Sequence, residues 1–425
     1  VEAIFERWDL HAVQIGEVTK GDRVRVYWHG DLVADVPADH LVLGGGAPVY
    51  EREATRPAYL DQVAGVDMDS IPDVSSGTAT AVLHKLLGSP NIASKRWVYE
   101  QYDTTVRTNT VAGPGVSDAA VVRIKGTERA LAAKTDCNGR YVYLNPRRGG
   151  QIAVAEAARN VVCSGGQPLA ITNCLNFGNP YKPEVYWVFR EAVGGMGDAC
   201  RALDTPVTGG NVSFYNENPD GAVFPTPTVG MLGLIDDVSV HTTTSKFKSQ
   251  GDVILLVTPA SWQFRNDIGG SEYLSWVHSI TGGDAPHLDL DEEVAVQQAV
   301  LRAIRAGKGK SAHDVSDGGL AVCLAECALQ ADGLGALVDL DIPDSIRRDE
   351  ALFGESQSRI VITVDPLDVA SLAAEIADPA VGLHRIGVVG GERLVIADGR
   401  TMLIDSGIAE LHSIYESVIP DKMDA

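Results

Sequence analysis

The chain has 425 residues, 45% of them hydrophobic and 22% charged, with a formal net charge of −22; this fits a soluble protein of two or three domains. The acidic balance argues against a nucleic-acid-binding face, which needs a basic surface. No run approaches the ~18 consecutive apolar residues of a membrane span and no secretory signal pattern occurs; the six cysteines contain no C-x-x-C pair, so reduced thiols in the cytoplasm are the expectation.

Residues 1–8 read as a short helix with Val1, Ile4, Phe5 and Trp8 on one face. Strand-like segments follow at 11–18, 23–29 and 32–36, separated by Gly-containing turns. The run 13–26, with its Ile15-Gly16 pair, reads like 384–396, with Ile386-Gly387. A repeat at so long a separation means two copies of one large module. A helix and a few strands are too small to close a core alone. Residues 1–43 are therefore expected to be the tail of a first copy.

Residues 44–75, with Gly44-Gly45-Gly46, Pro57 and Pro72, read as a linker. A second unit, 76–240, begins with a helix at 81–87 and continues with strands at 119–124 and 131–135. Helices at 150–163 and 183–203 and a strand at 228–235 complete an α+β pattern with helices on one sheet face. A third unit, 245–400, opens on the buried-strand run 252–257. Helices at 290–306 and 320–329, the latter with Cys323 and Cys327 as core residues, and a strand at 358–364 follow. Residues 401–425 read as a short helical tail.

Four places could carry chemistry. In Thr208-Gly209-Gly210-Asn211-Val212-Ser213, glycines permit close backbone approach, an amide oxygen suits a hard cation and a hydroxyl can donate to phosphate; a Gly-Gly hairpin turn is the plainer alternative. Glu156 and Asn160 lie four apart on an otherwise apolar helix, where they need Mg2+ or a basic neighbour such as Arg159. Asp136 ends a strand, as ligand-binding carboxylates do, unless it only serves the Asn138-Gly139 turn. In His313-Asp314-Val315-Ser316-Asp317-Gly318-Gly319, Ser316 or Asp317 could cap the next helix, whose N–H groups favour an anion.

The run Gln167-Pro168-Leu169-Ala170-Ile171-Thr172-Asn173-Cys174-Leu175-Asn176-Phe177-Gly178-Asn179-Pro180, followed by Thr208-Gly209-Gly210-Asn211-Val212-Ser213, closely resembles the formylglycinamide ribonucleotide amidotransferase family of purine biosynthesis. The closest likeness is to the C-terminal part of the synthetase subunit of the multi-subunit type. The resemblance implies an aminoimidazole ribonucleotide synthetase-like fold, an N-type then a C-type domain, preceded by the tail of an earlier C-type domain. It implies an ATP-dependent carbon–nitrogen ligase that amidates formylglycinamide ribonucleotide. Ammonia would come from a separate glutaminase subunit, joined through a small bridging subunit.

By the same resemblance Asn173 and Gly210 contact ATP, Asn211 holds Mg2+ and Ser213 contacts the formylglycinamide ribonucleotide. Many relatives have Asp at the position of Asn173, and the neutral amide leaves it hydrogen bonding only. A second, pseudo-symmetric site for a structural ADP or ATP would use Asp136, Glu156, Asn160 and Asp314 as Mg2+ ligands and Ser316 as a nucleotide contact. The family's histidine and acidic metal residue belong to the other half, so no catalytic residue is assigned here, and these 425 residues alone are expected to be inactive. Phe353-Gly354-Glu355-Ser356-Gln357-Ser358-Arg359 resembles the substrate motif of that half and is read as structural. Rival readings are another ATP-using synthetase or kinase of the superfamily, or a non-catalytic nucleotide-binding scaffold.

Overall fold

Alternating Val and Arg residues make β1 (Arg23–Trp28), which pairs antiparallel with β2 (Asp31–Pro37). The loop between them, His29-Gly30, has positive φ at both residues (50° and 94°), as a two-residue hairpin twisting with its strands requires. A short helix, α1 (Glu2–Glu6), precedes them. Residues 11–18, expected as a strand, form none and pair with no described strand. In this computed structural model residues 1–42, 50–265 and 267–424 are described, and the chain divides into units Val1–Arg52 and Glu53–Ala425. The triple glycine expected to open the linker lies outside the described residues.

The second unit begins with α2 (Tyr59–Ala64), α3 (Ala79–Leu87) and α4 (Arg96–Tyr99). The linker reading fails from residue 53 onward. Leu60, Ile71 and Val74 are buried, and the Asp73 carboxylate accepts from the Arg348 and Asp349 N–H groups. Three apolar residues spread over fifteen positions carry no period, so only their distant partners reveal the burial.

There follow β3 (Thr110–Ala112), β4 (Ala120–Arg123), β5 (Ala130–Asp136), α5 (Gly139–Leu144), α6 (Pro146–Cys163), β6 (Gln167–Asn176), α7 (Pro183–Leu203) and β7 (Val207–Ser213). A small hairpin, β8 (Glu217–Asn218) and β9 (Gly221–Ala222), leads into β10 (Thr226–Ile235). These strands form a six-stranded sheet in the order β3-β4-β5-β10-β6-β7, with the β8–β9 hairpin apart. The sheet is antiparallel except for β6 and β7, which run parallel because α7 returns the chain between them. Helix α6 starts where Asn145 caps the Arg148 N–H and Pro146 takes the first turn. It packs on β5, β6 and β10 with one side and on later elements with the other, which is why it is apolar nearly all round.

The remaining elements are β11 (Val253–Pro259), α8 (Leu290–Arg305), β12 (Ser311–Asp314), α9 (Gly319–Leu329), β13 (Ala336–Asp339), α10 (Arg348–Phe353), β14 (Ile360–Val364), α11 (Val369–Ile376), β15 (Val381–Val389), β16 (Arg393–Asp398), β17 (Thr401–Gly407) and α12 (Ile408–Met423). Their sheet has the order β12-β14-β11-β15-β13-β16-β17. Ile254 and Leu256 of β11 face the core under α3 and α9, while Val253, Leu255 and Val257 face α8, so the strand reads as an unbroken apolar run. Residues 401–425 are not a separate helical tail: β17 is the edge strand of this sheet and α12 packs on α3 and α9. Among the described residues no helix is long and apolar enough to cross a membrane.

The two hairpins at the ends of the chain match residue for residue. Arg23 pairs across to Pro37 and Val26 to Ala34, with a bulge after Val26; Arg393 pairs to Gly407 and Ile396 to Ile404, with a bulge after Ile396. In each an Arg Nε–H donates to an Asp carboxylate at 2.5 Å, Arg23 to Asp35 and Arg393 to Asp405. Their burial differs: Leu394 and Ile396 are fully buried, whereas Val24 and Val26 are 41% and 48% exposed.

Helices α6 and α7 touch through glycines. A Cβ on Gly150 would overlap the Ala192 carbonyl of α7, and one on Gly195 the Arg147 carbonyl of α6. Gly150→Ala is expected to destabilise by about 1–3 kcal/mol in urea unfolding, the cost of overpacking against backbone. Gly197→Ala, whose methyl would meet only the movable Arg201 guanidinium at 3.3 Å, is expected to be neutral or stabilising; equal losses would refute the close-contact explanation.

Candidate functional site

The predicted residues fall into two separate groups. The first lies on the paired strands β6 and β7, where Asn173 sits opposite Gly210, Cys174 opposite Asn211 and Asn176 opposite Ser213. The Gly-Gly segment is thus a strand and not a hairpin turn, because its other neighbour in sequence is the return of α7 and not a strand of its own. Side-chain alternation puts Asn211 and Ser213 on one face, with Asn211 Nδ2 3.9 Å from Cys174 Sγ, and Asn173 and Gly210 on the other. Gly210 is required there: a Cβ would overlap Asn173 Oδ1 and come within 2.6 Å of the Asn173 carbonyl oxygen. Strand β7 is the sheet edge and is exposed almost throughout.

The second group lies between the two sheets, with Glu156, Asn160 and Asp314 buried and Asp136, Ser316 and Asp317 half-buried. Asp136 ends β5, Glu156 and Asn160 lie on α6, Asp314 ends β12, and Ser316 and Asp317 occupy the turn into α9. Arg159, fully buried, donates to Glu293 Oε1 at 2.9 Å and Oε2 at 3.2 Å, to Asp314 Oδ2 at 3.2 Å and to Gln357 Oε1 at 2.7 Å. It is the partner of Asp314 and Glu293, not of Glu156. Asn160 Nδ2 donates to the Glu156 carbonyl at 2.7 Å and lies 3.4 Å from Asp314 Oδ2.

The charges here are not balanced. Burial pushes the Glu156 carboxyl well above its usual range, and Asp136 and Asp314 push it further. Burial likewise raises Asp136 against the pull of Lys134, raises Asp317, and brings Asp314 up to about 7 in spite of Arg159. The Glu156 carboxylate accepts no hydrogen bond from a described residue, although it is 9% exposed. A partnerless buried carboxylate beside two others, with an amide oxygen one helical turn away, is a set of hard oxygen donors that suits Mg2+. Asp314 keeps one oxygen outside its contact with Arg159.

Of the neighbours, Asp118, Glu293 and Glu326 were not singled out from the sequence. His313 donates from one ring nitrogen to Asp118 at 2.7 Å and from the other to Glu326 at 3.0 Å. Burial alone would lower it, but the two carboxylates hold the imidazolium well above its usual range. Asp118, His313 and Asp314 cluster closely, yet a ring donating from both nitrogens has no lone pair for a metal. The expected capping of α9 by Ser316 or Asp317 is also corrected. Gly318 is the cap residue, and its N–H donates to Glu355 Oε1 at 2.7 Å. Asp317 instead accepts from Asn138 Nδ2 at 3.1 Å. Buried Glu355 also accepts from the Glu272 N–H at 2.9 Å and from the Tyr141 hydroxyl, and burial raises it to about 8. Glu293 carries no local signal, since it looks like an ordinary acidic residue near a helix, whereas Glu355 lies in the 353–359 motif that is read as structural.

Two sheets joined in this order are the architecture of the AIR synthase related proteins. Models of that family's N-terminal and C-terminal domains match residues 116–235 and 249–399. The chain is 57% identical over 419 residues to phosphoribosylformylglycinamidine synthase subunit PurL of Salinibacter ruber, covering 98% of this chain and 55% of that protein. It is 50% identical over 422 residues to the same subunit of Moorella thermoacetica, covering 99% and 56%. The chain belongs to this PurL family and spans about half the length of these relatives. T. maritima PurL complexed with FGAR has a similar fold, with a TM-score of 0.65 at 18% identity over 79% of this chain and 53% of that one. A HypE–HypF complex also matches, at a TM-score of 0.51 and 15% identity over 68% of this chain and 93% of that one, so the fold alone does not specify the chemistry.

The buried carboxylates set a pH dependence. Asp314 has an ordinary value of 3.8 and a folded value of about 7; between these the folded chain binds more protons than the unfolded one, so stability falls as pH rises. Thermal melts without divalent cation are expected to decline across that window, and millimolar Mg2+ to recover most of the loss at the alkaline end. A decline unaffected by Mg2+ would show that the cluster does not take the ion.

Proposed function

We propose that this chain forms part of an ATP-dependent synthetase that converts formylglycinamide ribonucleotide to the amidine in purine biosynthesis. ATP phosphorylates the formamide oxygen, and ammonia then displaces the phosphate. A separate glutaminase subunit supplies the ammonia, and a small subunit bridges the two. Residues 76–240 serve as an N-type domain and 245–407 as its C-type partner, with α12 closing the latter. The matching hairpins support reading 1–43 as the end of another C-type domain.

The observation that carries this reading is the β6–β7 pair. It brings Asn173 and Gly210 together on one face of an exposed edge, and Asn211 and Ser213 on the other. Asn173 offers a neutral amide to the nucleotide, and Gly210 leaves bare backbone beside it. Ser213 donates its hydroxyl to an oxygen of the formylglycinamide ribonucleotide. Asn211 would hold Mg2+ through its amide oxygen, where the ion would supply neutralisation of developing phosphate charge. The buried set Asp136, Glu156, Asn160 and Asp314 would hold a second Mg2+ with a structural nucleotide touching Ser316, which joins the two sheets without entering the reaction.

In the full-length enzyme Asn211→Ala is expected to lower kcat by about 10²-fold or more, as loss of a preorganised charge-stabilising group does. Ser213→Ala should raise KM for the formylglycinamide ribonucleotide with little change for ATP. Steady-state kinetics with ammonia as nitrogen donor check both, and equal small effects on the two substrates would reduce the segment to a structural strand.

The second site predicts that Mg-ADP stabilises the 425-residue chain by itself, by about 2.7 kcal/mol at a hundredfold excess over Kd. Glu156→Gln and Asp314→Asn should each abolish the thermal shift while leaving the chain folded. No binding by calorimetry at millimolar Mg-ADP would remove the second site from this reading.

A further inference from the structure

Ser213 is followed by a backbone that a relaxed turn would avoid. Tyr215 has φ 61°, a left-handed conformation unfavourable for a bulky side chain and found where surrounding contacts impose it. The contacts that impose it here converge on the next residue. The Tyr215 N–H donates to the Gly178 carbonyl and the Asn216 N–H to the Phe177 carbonyl, both at 3.1 Å. The Asn216 side chain then turns back: its Nδ2 donates to the Ser213 carbonyl at 2.8 Å, the Phe177 carbonyl at 3.2 Å and the Ser213 hydroxyl oxygen at 3.3 Å.

All three partners are oxygens, so the amide nitrogen and not its oxygen must face them. This has a consequence for Ser213. A hydroxyl that accepts from an amide N–H cannot point its own proton back along that bond. No other described residue accepts from Ser213 Oγ. Its proton is therefore aimed away from Asn216, toward the exposed edge of β7, where an acceptor on a ligand can take it.

We propose that Asn216 is a positioning residue that fixes the Ser213 hydroxyl as a hydrogen-bond donor to the ribonucleotide substrate. The Tyr215 turn is the strained connection that brings the Asn216 amide back onto Ser213. The proposal rests on the reading of Ser213 as a substrate contact, and adds to it which atom donates and what holds it.

The test is a double-mutant cycle in the full-length enzyme with ammonia as nitrogen donor. Ser213→Ala and Asn216→Ala are each expected to raise KM for the formylglycinamide ribonucleotide by about tenfold, the size of one hydrogen bond to a charged or strongly polar partner. KM for ATP should stay within about twofold, and the double variant should be no worse than Ser213→Ala, because Asn216 acts only through that hydroxyl. Effects that multiply in the double variant would assign Asn216 an independent structural role and overturn the proposal. So would an unchanged KM in Asn216→Ala where Ser213→Ala raises it. If Ser213→Ala itself leaves KM unchanged, the reading of Ser213 has failed, and the proposal with it. Should Asn216→Ala not fold, the isosteric Asn216→Asp takes its place. It can only accept from Ser213 and turns the proton inward, so an unchanged KM there overturns the proposal equally.

Discussion

A guanidinium with no access to water must find partners for its N–H groups within the protein, and Arg159 does so across the boundary between the two sheets. It rises from α6 of the six-stranded half and forms a forked pair with Glu293 of α8, reaching Asp314 of β12 and Gln357 beyond. Leaving a partner of such a buried pair uncompensated costs on the order of 3–5 kcal/mol. The two halves cannot slide over one another while it is intact. The same contact fixes where Asp314 stands relative to Glu156 and Asn160, so the geometry of the carboxylate cluster follows from this single side chain.

The two groups of candidate residues obey opposite physics. The buried group is held by charge in a water-poor interface, where burial raises each carboxylate and Asp136 and Asp314 push Glu156 further, an arrangement that a cation would relieve. The edge group is held by backbone pairing and by the absence of a Cβ at Gly210, and it faces outward. A ligand at the first would join domains; a ligand at the second meets preset backbone and short polar side chains, which suits a reacting phosphate and its acceptor. The site at the start of α9 shows a third solution. The helix N-terminus that could attract a phosphate is already taken by Glu355, whose carboxylate also binds Glu272 and Tyr141, so the motif 353–359 serves the interior in this half.

The long periodic elements were legible in the sequence: α7 is found with its predicted limits, α6 and α8 differ by a few residues at one end, and β11 was readable as a run buried on both faces. The internal repeat was readable too, from an Ile-Gly pair and a glycine turn, and the hairpin registers agree with it. What was not legible was whatever depended on a distant partner. Residues 53–75 looked like linker because Leu60, Ile71 and Val74 share no period. The last strand, β17, looked like tail because an edge strand is half polar. The predicted strand at 11–18 had the right composition and no partner.

Residue types and spacing alone determined which side chains have metal or phosphate chemistry, since Asn, Asp, Glu and Ser oxygens keep that character wherever they lie, and i, i+4 spacing is enough to put Glu156 and Asn160 on one helical face. Only the tertiary structure decided which of them share a site. It split Asn173 from Asn211 and Ser213 by strand alternation, gave Arg159 to Asp314 and Glu293 while leaving Glu156 bare, and put Glu355 in the anion position at α9. The physical reason is that burial and pairing are set by residues distant in sequence, 37 positions apart for Gly318 and Glu355 and 155 for Arg159 and Asp314, and electrostatic energy inside a protein depends on distances in space that no local pattern records.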